Sequence, residues 1–389
     1  MAPVTAASVL ASTVGSRCPQ GAADVEFATR LDAFTDRHRD GLLAAGVWES
    51  AGPPVRELLR AVGEAGLLRD AWADRGGDRA AALWRAAALH RAFARVGNGA
   101  PGAALLTHLE VATRLLGVLP TTPVGLVTDA LAGSATSALA ATEPDGGSDL
   151  TALKTTVGAG AAGGLTVTGT KWFISNAPYA DHLLVLADDS DGRTGRRGPA
   201  LLLVSAGPRV GVTTLDGLGH TGLTGAVVLD AAPVAAVLAV GGHGLLVLMR
   251  HWIHERVMLA VRMAGLAESV LDHAIADAGR RITFGVPLIT NQHVRFTLAR
   301  LDAAVQEVQA MAGQSLRLLA AGACPGGWAA AGKHRAAAVL AEVADEALQL
   351  SGADGYRRGH PAERALRDAT GLALAGGTTE LMLQQIDRG

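Results

Sequence analysis

The sequence predicts an α+β chain whose helical and β segments are separated along its length: a helical stretch over 25–134, a compact β domain over 135–240 and a second helical stretch over 241–389. Three observations carry this. In DVEFATRLDAFTDRH, VRELLRAVGEAGLL and RAAALWRAAALHRAFARV, apolar residues recur at three- and four-residue spacing, the period of an amphipathic helix. LTVTGTKWFISN, HLLVLA, ALLLVSA, VGVTTL and GAVVLDAAPV are short β-branched runs set apart by glycine or charged turns, as strands are. From Gly244 onward, helical periodicity returns in three long segments, each sufficient for one strut of a bundle.

Taken in order, residues 1–24 read as a flexible tail without the basic leader and apolar middle of a secretory signal. Pro53, Pro54, Gly66, Gly76, Gly77 and the stretch GNGAPG around Pro101 punctuate the first helices. Inside the β domain, DDSDGRTGRRGP reads as an exposed hairpin loop. The first long C-terminal helix breaks at Gly285 and Pro287, and another begins near Gln292. Pro361 opens the last long helical segment, which ends at Gly376, and no internal repeat is visible.

Composition narrows the function classes. A chain of 389 residues divides into two or three units sharing interfaces. It is 49% hydrophobic with mean hydropathy +0.27, but no uninterrupted apolar run approaches the ~18 residues of a membrane span. A net charge of −2 and pI near 6.6 give no basic field for nucleic acid. Cys18 and Cys324 stand far apart with no CxxC-type pattern, so neither a disulfide framework nor a zinc site is indicated, which fits a reducing compartment, the cytoplasm.

Four stretches carry candidate chemistry, and each also has an ordinary reading. ATEPDGGSDL (141–150) is a turn rich in small hydrogen-bonding side chains. GTKWFISNAP (169–178) sets Trp172 and Phe173 beside Ser175 and Asn176, or is a strand with a packed aromatic. RRITFGVPLITNQHVRFTLA (280–299) pairs arginines with an aromatic, suited to a phosphate and an adenine, or is a solvated helix end. QLSGADGYRRGHPAERALRDATGLALAGGTTEL (349–381) reads as helix, loop, helix, with Gly376 as a C-terminal cap and Thr378 as the next N-cap.

In this order, and across an α, β, α layout, the four stretches resemble the acyl-CoA dehydrogenase family from about Val25 to Ile386. The match is strongest at Thr142–Asp149, Lys171–Asn176, Glu255–Ala260, Arg281–Gln292 and Gln349–Glu380. The resemblance implies a middle β-barrel or sandwich between an N-terminal helical domain and a C-terminal four-helix bundle. It implies FAD and α,β-desaturation of an acyl thioester carried on CoA or acyl-carrier protein. It also implies a homo-oligomer, dimer or tetramer, and an electron-transfer flavoprotein or similar acceptor.

Carried onto this chain, it sets Leu139, Ala141 and Thr142 along the isoalloxazine, Gly147 and Ser148 on the flavin and thioester side, and Phe173 with Ser175 over the other face. Arg281, Phe284 and Gln292 would meet the pyrophosphate and adenosine of an FAD bound mainly by a neighbouring subunit, completed by Gln349 and Gly352. Thr378 and Glu380 would lie near the cofactor, and Ser148 and Arg256 near the substrate. Two departures concern substrate and cofactor contacts. Ala353 stands where the family has a second glycine, and LLGVLPTTPVGLVTDALAG (115–133) lacks the usual glycine-threonine and glutamine-lysine signature.

The third departure concerns the chemistry. Desaturation needs a carboxylate to take the α-proton while the β-hydride passes to flavin N5, and many members carry that carboxylate where this chain has Gly376. The isovaleryl and long-chain branch places its glutamate on the first C-terminal helix in a pattern like ERxxxA. Here HWIHERVMLA puts Glu255 and Arg256 at that point, with His251 four residues earlier. The resemblance therefore implies Glu255 as the base, with Glu380 as its rival, and leaves the backbone amide of Gly376 as a donor to the thioester oxygen. A flavin monooxygenase on the same fold and a non-catalytic subunit of a mixed oligomer are the competing functions.

Overall fold

A computed structural model describes residues 22–50, 52–72, 77–160, 163–219 and 222–388. The expectations for the tail, Cys18 and Gly76 fall outside these residues, except that 22–24 already belong to the first helix.

The N-terminal third is helical: α1 (Ala22–Leu43), α2 (Val55–Glu64), α3 (Arg79–Arg95) and α4 (Gly99–Leu106), with one-turn helices between. Asp78 caps α3 by accepting from Ala81 N, and Asn98 caps α4 by accepting from Ala100 N, side chains suited to the orphan amides of a helix start. Helix α4 runs on through a π-helical stretch, Thr107–Thr113, into Arg114–Val118.

Seven strands follow: β1 (Ser137–Ala140), β2 (Thr156–Ala159), β3 (Leu165–Ser175), β4 (His182–Asp189), β5 (Gly198–Ser205), β6 (Val210–Thr214) and β7 (Thr224–Ala239). Pairing runs β4–β2–β3–β7–β5 and returns from β5 to β4, so five strands close on themselves, with β1 parallel beside β4 and β6 along β7. The continuous apolar runs in β4 and β5 follow from burial on both faces. Leu183, Val185 and Leu202 join one cluster with Val167, Val227 and Leu229, while Leu184, Leu186, Leu201 and Leu203 pack with Leu115, Leu116, Leu126 and Leu248 of the helices.

The C-terminal part is built from α5 (Gly244–Arg280), α6 (Gln292–Ala320), α7 (Gly326–Ser351), α8 (Pro361–Leu374) and the short α9 (Thr379–Asp387). Helix α5 ends at Arg280, before Gly285 and Pro287, because Ile282–Thr283 and Val286–Pro287 pair as a two-stranded hairpin. Asn291 then caps α6 through His293 N. One apolar cluster runs from Phe27, Leu59 and Phe93 through Val257, Met263 and Leu266 to Leu340 and Leu372. The two helical stretches therefore share a core, with α5 as its spine. Among the described residues no helix is long and apolar enough to cross a membrane.

Candidate active site

Helix α5 carries Glu255 into the interior, 9% exposed. The turn between α8 and α9 lies against it. Gly376 and Gly377 both have left-handed backbones, φ 66° and 109°, a conformation that glycine adopts without steric cost. A Cβ on Gly376 would stand 3.5 Å from Glu255 Oε1 and 2.6 Å from Leu259 Cδ1. The Glu255 carboxyl thus sits beside the spot where a side chain at position 376 would begin. Burial pushes it up to about 7, against the pull of Arg256 and Lys333, and its Oε2 has no hydrogen-bond partner.

Two cations hold the turn. Arg256 Nε donates to Gly376 O at 3.0 Å and its Nη1 to Gln385 Oε1 at 2.5 Å. Its guanidinium is therefore directed into the turn, where the sequence led us to expect a substrate contact. Lys333 Nζ, from α7, donates to Ala373 O at 2.6 Å and to Gly377 O at 2.7 Å. The Gly376 N–H meets no acceptor among the described residues.

Thr378 caps α9 by accepting from Leu381 N. Glu380 is exposed on the first turn of α9, and its own amide and the Thr378 hydroxyl hold its carboxyl below the usual range. Of the two candidate carboxylates, only Glu255 is buried and poised near neutrality, where a general base is most effective.

On the β-domain side, Leu139 lies in β1 and Ala141 and Thr142 just beyond it. Thr142 O accepts from Trp172 N at 2.9 Å. Beside this contact, Lys171 Nζ reaches Glu143 Oε1 at 2.8 Å and Ala141 O at 3.0 Å, in a pair with almost no solvent access. The pairing of β3 with β7 skips a residue between Lys171 and Ile174, a bulge of the kind that re-aims side chains at sites. It leaves Phe173 60% exposed at φ 54°. Ser175 is half-buried at the end of β3, and Gly147 and Ser148 are exposed.

A third cluster forms at the far end of α5. Arg281 Nη1 donates to Ser351 O at 2.9 Å, and a Cβ on Gly352 would stand 3.1 Å from that nitrogen. An open cleft of about 410 Å³ lies between Asp277, Arg280, Arg281, Ser351 and Asp354. Gln349 and Gln292 are exposed, as is Ala353, and Phe284 projects fully into solvent at φ 50°. Among the described residues only four that are not glycine have positive φ, and Phe173 and Phe284 are two of them. Strained backbone of this kind persists where the surroundings over-determine it, and it concentrates at binding sites.

Comparison with known proteins agrees with this layout. The family description "Acyl-CoA dehydrogenase, middle domain" matches residues 138–231, and "Acyl-CoA dehydrogenase, C-terminal domain" matches 242–389. The chain belongs to the acyl-CoA dehydrogenase family. It is 32% identical over 270 residues to the acyl-CoA dehydrogenase apdG of Emericella nidulans, a match covering 66% of this chain and 61% of that protein. The chain thus spans less than two thirds of that relative's length. It is 29% identical over 349 residues to the acyl-[acyl-carrier-protein] dehydrogenase MbtN of Mycobacterium sp. strain MCS, covering 85% of each. A glutaryl-CoA dehydrogenase from Mycobacterium smegmatis, solved in complex with FADH2, shares the fold with TM-score 0.83 and 21% identity, covering 95% of this chain and 94% of that one.

Sequence reading passed over three features of the structure around this site. Lys333 is one, although a single lysine amid Ala329, Ala330, Ala336 and Ala337, all buried, was a visible signal. The Lys171–Glu143 pair is another. The third is a buried network in which Glu110 meets His90 Nε2 at 3.2 Å, His254 Nε2 at 2.5 Å and Arg114 Nε at 2.7 Å. Burial opposes the Glu110 charge, but Arg114 and the two histidines hold its carboxyl well below the usual range. His251 is buried next to this network, and burial pushes it down to about 3.

The position of Glu255 has a measurable cost. Its folded-state value near 7 lies above the ordinary 4.5, so the folded protein holds a proton that the unfolded chain has released. Stability therefore falls as pH rises from about 4.5 to about 7, and levels off above. Denaturant unfolding of Glu255→Gln against wild type should show the variant gaining about 3 kcal/mol relative to wild type across that window.

Proposed function

We propose that this chain is an FAD-dependent acyl-thioester dehydrogenase that introduces an α,β double bond, with Glu255 as the base. The observation that carries this is the buried Glu255 carboxyl, free at Oε2, beside the side-chain-less Gly376. Glu255 takes the proton from the α-carbon as the C=C bond forms. The Gly376 N–H, which has no acceptor among the described residues, donates to the thioester oxygen and stabilises the charge that develops there.

The residues present fit FAD: two exposed aromatics on strained backbone, a glycine beside Arg281, and an arginine-lined cleft. When bound, FAD supplies the acceptor for the β-hydride. Leu139, Ala141, Thr142, Gly147, Phe173, Ser175 and Thr378 would hold the ring end, and Arg281, Phe284, Gln292, Gln349 and Gly352 the pyrophosphate and adenosine end. Ser148 lines the thioester side. Arg256 positions the turn, and Glu380 serves the start of α9.

The two ends belong to different copies of the chain. Glu255 lies in the first half of α5 and Arg281 immediately beyond its C-terminal end, roughly 39 Å apart along the axis at 1.5 Å per residue, farther than one dinucleotide spans. A homo-oligomer, dimer or tetramer, resolves this by pairing the Glu255 end of one copy with the Arg281 end of another. The handle is CoA or an acyl-carrier protein, the two carried by the relatives' names, and the electrons pass to an electron-transfer flavoprotein or similar acceptor. Neither a monooxygenase nor a non-catalytic subunit accounts for a carboxylate kept buried and only partly compensated, since such a group costs stability and is characteristic of a working site.

Anaerobic mixing of the purified flavoprotein with a panel of saturated acyl thioesters should bleach the flavin, at a rate that rises with pH through about 7 as Glu255 loses its proton. Glu255→Gln should slow bleaching ~10²–10⁴-fold, and Glu380→Gln should leave it within about tenfold; the opposite ranking would make Glu380 the base. Arg281→Ala should weaken FAD retention. Co-assembly of Glu255→Gln chains with Arg281→Ala chains should recover activity that neither variant has alone, because hybrid dimers contain one intact site. Hybrids with no recovered activity would contradict the shared site.

A further inference from the structure

We propose that Lys333 is a positioning residue of this site: from α7 it ties the end of α8 to Gly377 and so fixes the Gly376–Gly377 turn against Glu255. The inference rests on the reading of Glu255 as the base.

The geometry points in one direction. Lys333 is 1% exposed, and among the described residues it forms no ion pair. A buried ammonium is costly unless its donors are satisfied, and here the acceptors are two backbone carbonyls, Ala373 O at 2.6 Å and Gly377 O at 2.7 Å. Ala373 is in the last turn of α8, where unpaired carbonyls concentrate negative potential that favours a cation. Gly377 is the second of two consecutive left-handed glycines, the chain unit that loses most freedom when ordered. Arg256 from α5 binds the first glycine's carbonyl and Lys333 from α7 the second. Consecutive carbonyls are thus pinned by two cations from two helices, and the Gly376 N–H lies between Ala373 O, also held by Lys333, and the pinned Gly376 O.

Lys333 also acts through charge. The charged groups facing it are Arg256 and Glu255 from α5 and Glu380 from α9. Its ammonium and Arg256 both pull the Glu255 carboxyl down against burial. Removing the Lys333 charge therefore raises the pH at which Glu255 becomes a base, an effect that a purely structural tie would lack.

The test uses the FAD-loaded full chain as wild type, Lys333→Met and Lys333→Arg. In Lys333→Met, amide hydrogen exchange should quicken in peptides covering 371–381 and stay at the wild-type rate in peptides from α6. The limiting rate of flavin bleaching by an acyl thioester should fall by about 10²-fold, the scale of a ~1 Å misplacement. Thioester affinity should change little, and the acid limb of the rate profile should move to higher pH. Lys333→Arg should return the limb to the wild-type position. If Lys333→Met does not fold, Lys333→Gln, which keeps a donor without the charge, should show the same limb shift. Wild-type exchange over 371–381 overturns the clasp, and a slowed enzyme with an unmoved limb overturns the charge effect. A wild type that no thioester bleaches rejects the dehydrogenase reading separately, and the exchange comparison still decides the clasp.

Discussion

Everything specific to this site depends on a carboxyl held out of water against a turn with no side chain. Gly376 leaves room, Leu259 and Glu255 fill it from α5, and Arg256 and Lys333 hold the turn in place by its carbonyls. Burial raises the Glu255 carboxyl and the two cations, neither bonded to it, pull it the other way, leaving it at about 7. This is a balance of large opposing effects rather than one strong ion pair. A direct salt bridge would have depressed the carboxyl and spent it as a base.

Where the β domain meets the site the arrangement is the opposite, a direct ion pair. Lys171 satisfies Glu143 and Ala141 in a buried pair that anchors the strand end leading to Thr142, while the adjacent bulge releases Phe173 to solvent. Losing one partner of such a pair leaves an uncompensated charge, so pair and bulge together fix the backbone. At the far end of α5 the groups are instead open and exposed. Phe284 stands at full exposure beside a cleft lined by Arg280, Arg281, Asp277 and Asp354.

The segregation of helix and strand was legible in periodicity, and so were the helix starts at Pro361, at Thr378 as a cap and near Gln292. The end of α5 was not. Glycine and proline at 285 and 287 pointed too far downstream, because a two-residue hairpin has no periodicity to read. The ERxxxA context singled out Glu255, which the fold buries beside Gly376, but the direction of Arg256 was not legible, since neighbouring helical residues point about 100° apart and only the packed structure shows which meets the turn. Lys333 and Lys171 were overlooked for a common reason. A lone lysine in a sequence is read as solvated, and what buries it lies far along the chain, 28 residues away for Glu143 and 44 for Gly377.

The most direct measurement of the central claim isolates proton removal from hydride transfer. With a 3-thia acyl thioester, whose sulfur replaces the β-carbon so that no hydride can leave, α-hydrogen exchange with deuterated water reports the base alone. The account predicts exchange catalysed by wild type, rising with pH through about 7, and none above background in Glu255→Gln. Exchange at the wild-type rate in Glu255→Gln would contradict it.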